Sequence, residues 1–153
     1  MVILSKLADY AVIIATHMAL APDRQTTAAA LATETRLPRA TVAKVLKALA
    51  HSNIVVGARG AAGGYRLARE ATRISLAEIV AAIDGIMAPT QCTSHLPDCD
   101  RSDFCVTRPH WQRINRVVGA ALGAISLAEL APLSVSGSRV AGLTTHPQHT
   151  VRP

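Results

Sequence analysis

Aromatic side chains are nearly missing from this sequence: one Trp, two Tyr and one Phe, 3% of 153 residues. A core made without rings has to come from Ala, Val, Leu and Ile, and an Ala- and Leu-rich set of that kind favours helices. Long hydrophobic runs are lacking too. The longest, near Ala11–Ala21, is interrupted by Thr16 and His17, too short to span a bilayer, so no membrane role is expected. No basic stretch precedes the apolar start Met1-Val-Ile-Leu, so no secretory leader is expected there. Cysteine is scarce and odd in number, three in all, which argues against a disulfide framework and for a reducing, cytoplasmic location.

The few cysteines lie together, in Cys92-Thr-Ser-His-Leu-Pro-Asp-Cys99-Asp-Arg-Ser-Asp-Phe-Cys105. Thiolates are soft ligands for iron–sulphur clusters and zinc, so three of them in one segment point first to a metal site. Pro97 and the acids Asp84, Asp98, Asp100 and Asp103 in and around the segment make it read as loop. Zinc sites usually carry a closely spaced Cys-x-x-Cys pair, which is absent, so zinc is the weaker reading.

Charge is as uneven as cysteine. The net +6 resides in residues 1–73, which hold ten Lys/Arg against four Asp/Glu; residues 74–153 hold six of each. A basic half beside a neutral one suits a polyanionic partner such as DNA, although a solvated basic surface would have the same composition.

Periodicity supplies the elements. Ser5 caps a first helix over residues 5–20, in which Leu7, Tyr10, Ala11, Ile14 and Met18 recur at helical spacing. A second starts at Thr26 or Thr27 and runs to about Thr35. Pro38 fits the first position of a third, where Val42, Val45, Leu46 and Leu49 form one apolar stripe. Its other face shows Arg39, Ala40, Thr41, Ala43, Lys44 and Lys47, the pattern of a helix-turn-helix recognition helix. Ile54–Arg59 and Tyr65-Arg66-Leu67 read as two strands around the turn Gly60-Ala-Ala-Gly63-Gly64, a wing carrying Arg59 and Arg66. The glycines lead into a strand and no Gly-Lys-Ser/Thr follows, so they do not make a phosphate loop. Ser75-Leu-Ala-Glu78 is a capping box for a helix ending at Asp84-Gly85. From Pro109 a long helix carries Trp111, Ile114, Val117/Val118, Ala121/Leu122 and Ile125 on one face, which suits a dimer seam or a return onto its own domain. Ser126-Leu-Ala-Glu129 starts one more short helix.

The expected fold is mainly α with a small β-hairpin wing: a winged helix-turn-helix over 1–83, a cysteine loop over 84–108 and a dimerisation helix over 109–131. Residues 132–153, rich in Ser, Gly, Thr, His and Pro, are expected to form a disordered tail.

Several pieces resemble one family in order and spacing: Leu7-Ala-Asp9-Tyr10-Ala11, Leu37-Pro-Arg-Ala-Thr-Val42, Arg59-Gly60 with Gly63-Gly64-Tyr65, and the three cysteines. Over residues 1–131 the chain resembles the IscR/NsrR-type winged-helix regulators, bacterial transcription factors that carry an iron–sulphur cluster. Its wording is most similar to the branch that regulates the Suf cluster-assembly system. The resemblance implies a homodimer on double-stranded promoter DNA, with Cys92, Cys99 and Cys105 as cluster ligands. IscR-like members place a histidine three residues after the last cysteine, where this chain has Arg108. In NsrR-like members an aspartate of the partner's first helix serves, and Asp9 occupies the matching position, ahead of His110 and His95. A [2Fe-2S] cluster is favoured and [4Fe-4S] fits the same donors. Arg39, Ala40, Thr41 and Lys44 are then expected at the major groove, Arg59 at the minor groove, and Lys47 and Arg66 on phosphates.

Other function classes fare worse. A winged-helix regulator sensing by thiol oxidation or zinc keeps the fold and drops the cluster. A cluster scaffold without DNA binding leaves the basic half and the wing unexplained. An enzyme with Cys105 as nucleophile and His110 as base lacks an orienting third group, so neither catalysis nor a small-molecule substrate is expected.

Overall fold

The computed structural model describes residues 4–58, 60, 63–85 and 105–131. Helix α1 (Lys6–Ala19) begins where Ser5 Oγ accepts the Ala8 N–H at 3.0 Å. Its buried face is Ala8, Ala11, Ile14, Ala15 and Met18, and the small alanines let neighbouring helices come close. Helix α2 (Ala28–Thr35) is capped by Thr27 and ends in the left-handed Arg36, at φ 55°. Helix α3 (Arg39–His51) follows after Leu37 and Pro38, and Pro38 is the N-cap rather than the first helical residue.

Val42, Val45, Leu46 and Leu49 of α3 are fully buried against α1 and α2, so the apolar stripe in the sequence is the core stripe of the fold. Asn53, left-handed at φ 54°, turns the chain out of α3. Strands β1 (Val55–Ala58) and β2 (Gly64–Leu67) pair antiparallel, with Val55 opposite Leu67 and Ala58 opposite Gly64. Thr26 and Tyr65 exchange backbone hydrogen bonds of 2.9 and 2.7 Å, which ties the hairpin to the segment before α2. The chains approach so closely there that a Cβ on Gly64 would lie 2.7 Å from the Thr26 carbonyl oxygen.

A 3-10 turn over Ala71–Arg73 leads to α4 (Leu76–Asp84), opened by the Ser75/Glu78 capping box and packed on α1 and α3. Helix α5 (Arg108–Gly123) has no buried residue; Trp111, Ile114 and Val117 are 36, 43 and 62% exposed. The chain then returns to the first domain. Leu76 N–H donates to Ile125 O at 2.9 Å and Leu127 N–H to Ile74 O at 2.7 Å, joining the starts of α4 and α6 (Leu127–Leu130) like two rungs of a ladder. Leu127 is fully buried in the core formed by α1, α3 and α4. Among the described residues no helix is long and apolar enough to cross a membrane.

Candidate nucleic-acid interface and cysteine segment

With 100° between successive residues, the four core residues of α3 define its inward direction. Ala40, Lys44, Lys47 and His51 then lie along the opposite line, with Ala43 and Arg39 on one flank and Thr41 on the other. All are exposed except Thr41, which is half-buried. His51 was not among the expected contact residues, although its spacing from Lys44 and Lys47 (i, i+3, i+7) was visible. Lys44, Lys47 and His51 border a groove of about 430 Å³ whose floor includes Ala48 and, from α4, Ala82. Arg66 is exposed on β2, where Leu67 faces inward. Arg59 lies outside the described residues.

Helix α3 is held at this surface from behind. Glu34 of α2 receives His17 Nε2 of α1 at 2.7 Å and Arg24 at 2.8 Å, linking the two helices on which α3 rests. The hydrogen bond from His17, then that from Arg24, holds the Glu34 carboxyl below its ordinary value.

Of the residues expected to hold a metal, Cys92, Cys99 and the alternative His95 lie outside the described residues. Asp9 is exposed in the first turn of α1, and His110 is exposed in α5. Cys105 is half-exposed just ahead of α5. Its sulphur lies 3.3 Å from Thr107 Oγ1; that hydroxyl, the Thr107 backbone and the nearby Arg108 hold the thiol below its usual range, which favours thiolate. Among the described residues no three His, Cys, Asp or Glu side chains converge on one point. The donor chemistry suits an iron–sulphur group nonetheless: a thiol biased toward thiolate, two more cysteines in the same segment and an accessible carboxylate on α1.

Asp84, expected only as a helix end and one of the acids around the cysteine segment, has a further part. Its carboxylate accepts from Ser5 N–H at 3.1 Å and from the Ser5 hydroxyl at 2.6 Å. The last residue of α4 is thereby bound to the cap of α1, so the chain enters the cysteine segment beside the start of the helix that carries Asp9. No signal in the sequence connects positions 79 residues apart.

A recognition-type helix with an uncovered cationic line, a hairpin beside it and a long exposed helix behind define a winged helix-turn-helix protein. A family model described as Rrf2, iron-dependent transcriptional regulator, matches residues 4–132, and the chain belongs to that family. The transcriptional regulator IscR of Xenorhabdus nematophila is 37% identical over 82 residues, 54% of this chain and 49% of that one. The chain spans about half the length of the curated IscR relatives it matches. Among solved structures, CymR of B. subtilis, described as its global cysteine regulator, superposes with TM-score 0.68 at 25% identity, over 87% of this chain and 98% of that one. IscR of T. potens superposes with TM-score 0.68 at 21% identity, over 92 and 94% of the two chains, a likeness of fold. These relatives are named as regulators, and none as an enzyme.

Proposed function

We propose that this protein is a cytoplasmic, homodimeric transcriptional regulator that binds double-stranded promoter DNA and reports iron–sulphur status to cluster-assembly genes of the Suf type. The observation that carries the reading is the α3 face: an exposed line of Lys44, Lys47 and His51 directly behind a fully buried apolar stripe. A helix held so firmly on one side and so cationic on the other is suited to a groove lined by phosphates. Arg39, Ala40, Thr41 and Lys44 would meet base edges; Lys47 and Arg66 would meet phosphates, and Arg59 the minor groove. The uncovered apolar stripe of α5 would pair with the same helix of a second copy.

Cys92, Cys99 and Cys105 would hold the cluster, [2Fe-2S] in preference to [4Fe-4S], with Asp9 of the partner as the fourth ligand. When bound, the group supplies iron that oxidants and nitric oxide attack. The chain's own part is positional. Asp84 ties the entrance of the cysteine segment to α1, and Leu127 anchors the far end of α5 in the first domain.

Anaerobic purification with iron, sulphide and visible absorbance measured, followed by titration of a promoter fragment at several salt concentrations, tests both halves. Coloured protein with near-stoichiometric sulphide and steeply salt-dependent binding is expected. Asp9→Ala should leave DNA binding by the iron-free protein unchanged and shorten the life of the visible bands in air; an unchanged decay would strike Asp9 from the ligands. A second reading rests on the geometry at Cys105, whose half-exposed sulphur lies 3.3 Å from Thr107 Oγ1: a cluster-free regulator sensing by thiol oxidation or zinc. Colourless protein that resists reconstitution yet binds DNA would establish it over the first.

A further inference from the structure

The α3 surface is one-sided in its hydrogen-bonding chemistry. From Arg36 to Ser52 the chain contains no Asp, Glu, Asn or Gln. Within α3 itself the exposed groups are the cations Arg39, Lys44 and Lys47, the imidazole of His51, and the methyls of Ala40 and Ala43, with the half-buried Thr41 supplying the one hydroxyl ahead of the Ser52 cap. Such a face donates and makes apolar contact, but hardly accepts.

In the major groove the four bases differ in what they ask of a partner. Guanine offers two acceptors, N7 and O6; thymine offers the O4 acceptor and a C5-methyl group. Cytosine presents an N4 amino donor and adenine an N6 donor beside N7, and recognising either donor takes an acceptor on the protein. Along α3 the Thr41 hydroxyl, half-buried, is the one side-chain acceptor ahead of His51 at the helix end. The alanines are also short, so between the long cationic arms the helix backbone can come close to the base edges, with Ala40 and Ala43 one turn apart at the point of approach.

We propose that α3 reads guanine and thymine, its cations donating to guanine and the Ala40 and Ala43 methyls packing on thymine C5-methyl groups, which makes Ala43 a specificity-determining residue. The inference rests on the DNA-binding reading above and specifies which bases it recognises. Burying one methyl group on binding corresponds to roughly threefold in affinity. A pair of alanines therefore sharpens recognition where Lys or Arg alone would mostly hold phosphates.

The experiment uses the full chain and a randomised duplex. Sites are selected, and in the recovered sequence each thymine is replaced singly by deoxyuridine, which removes only the C5-methyl, and each guanine by 7-deazaguanine, which removes only N7. At least one thymine per half-site should lose about threefold in affinity as deoxyuridine, and at least one guanine should weaken binding as 7-deazaguanine. Ala43→Gly should abolish the deoxyuridine effect at one thymine, since the cycle compares the two bases within each protein and cancels the helix penalty of glycine. Ala43→Gln should shift selection at that position toward adenine. Enriched sites in which no thymine methyl matters, or a deoxyuridine effect that Ala43→Gly leaves intact, would overturn the proposal while DNA binding stands. Absence of binding to any duplex at low salt would overturn the DNA-binding reading along with it.

Discussion

Residues 4–85 and helix α5 solve the problem of apolar surface in opposite ways. Every buried apolar side chain among the described residues lies between Ala8 and Val80, apart from Leu127; α5 buries none and leaves Val117 62% exposed. In the first region three helices, a hairpin and α4 close over Ile14, Leu46, Leu49 and Ile79, with Leu127 of α6 completing the core. The second is a helix whose apolar stripe finds little cover in its own chain, although its end is secured through Leu127. Stability of the fold and exposure of a sticky helix are thus assigned to different segments. If α5 is the dimer seam and α3 the DNA-reading helix, as proposed above, that separation lets assembly and recognition be altered independently.

The largest expected effect separates the two regions directly. Leu46→Ala should lower the stability of the first domain by about 2–5 kcal/mol in chemical denaturation, the range for emptying a well-packed leucine site. Val117→Asp should leave that unfolding transition in place and convert a dimeric mass to a monomeric one in light scattering. If the mass is unchanged, α5 is not the seam; if Val117→Asp unfolds the first domain, the division drawn above is wrong.

A smaller effect probes how the hairpin is attached. Gly64→Ala places a methyl where the Thr26 carbonyl stands, so β2 or the segment before α2 must shift, at a cost of about 1–3 kcal/mol. Hydrogen exchange of the Tyr65 amide, which donates to Thr26 O at 2.7 Å, should speed up more than that of α3 amides. Equal acceleration in both would mean that wing and helices open as one unit.

The smallest effect is on pH. The Glu34 carboxyl is held below its ordinary value by His17 and then Arg24, so the stability it contributes is complete above the unfolded carboxylate value, about 4.3. It is lost as pH falls through the lower folded value. Because the carboxylate is exposed and screened, the dependence should be slight. Glu34→Gln should flatten the acid limb of a stability–pH profile; an unaltered limb would remove this link from the α1–α2 contact.

Much of the fold was legible because its signals are local. Ser5, Thr27, Ser75 and Ser126 act as caps, and each closes a hydrogen bond within three residues. The α3 stripe reappears as four fully buried residues, since amphipathic spacing is a direct imprint of burial. Pro38 moved by one position, β1 starts at Val55 rather than Ile54, β2 takes in Gly64 from the expected turn, and the long helix stops at Gly123, short of Ile125. The site was less legible. Lys44 and Lys47 could be placed on an exposed face from spacing, and His51 could have been; the Asp84–Ser5 clasp and the burial of Leu127 could not.

By itself the sequence determined the helices, their caps, the hairpin, the basic half and the grouping of the cysteines. All of these depend on side chains a few positions apart, through rotation per residue, capping and charge. Tertiary structure alone decided that α6 returns to the first domain while α5 stays uncovered. It alone decided that the hairpin needs glycine at position 64, and that the cysteine segment departs from the capped end of α1. Those outcomes depend on which surfaces meet across long stretches of chain, and no local periodicity carries that information.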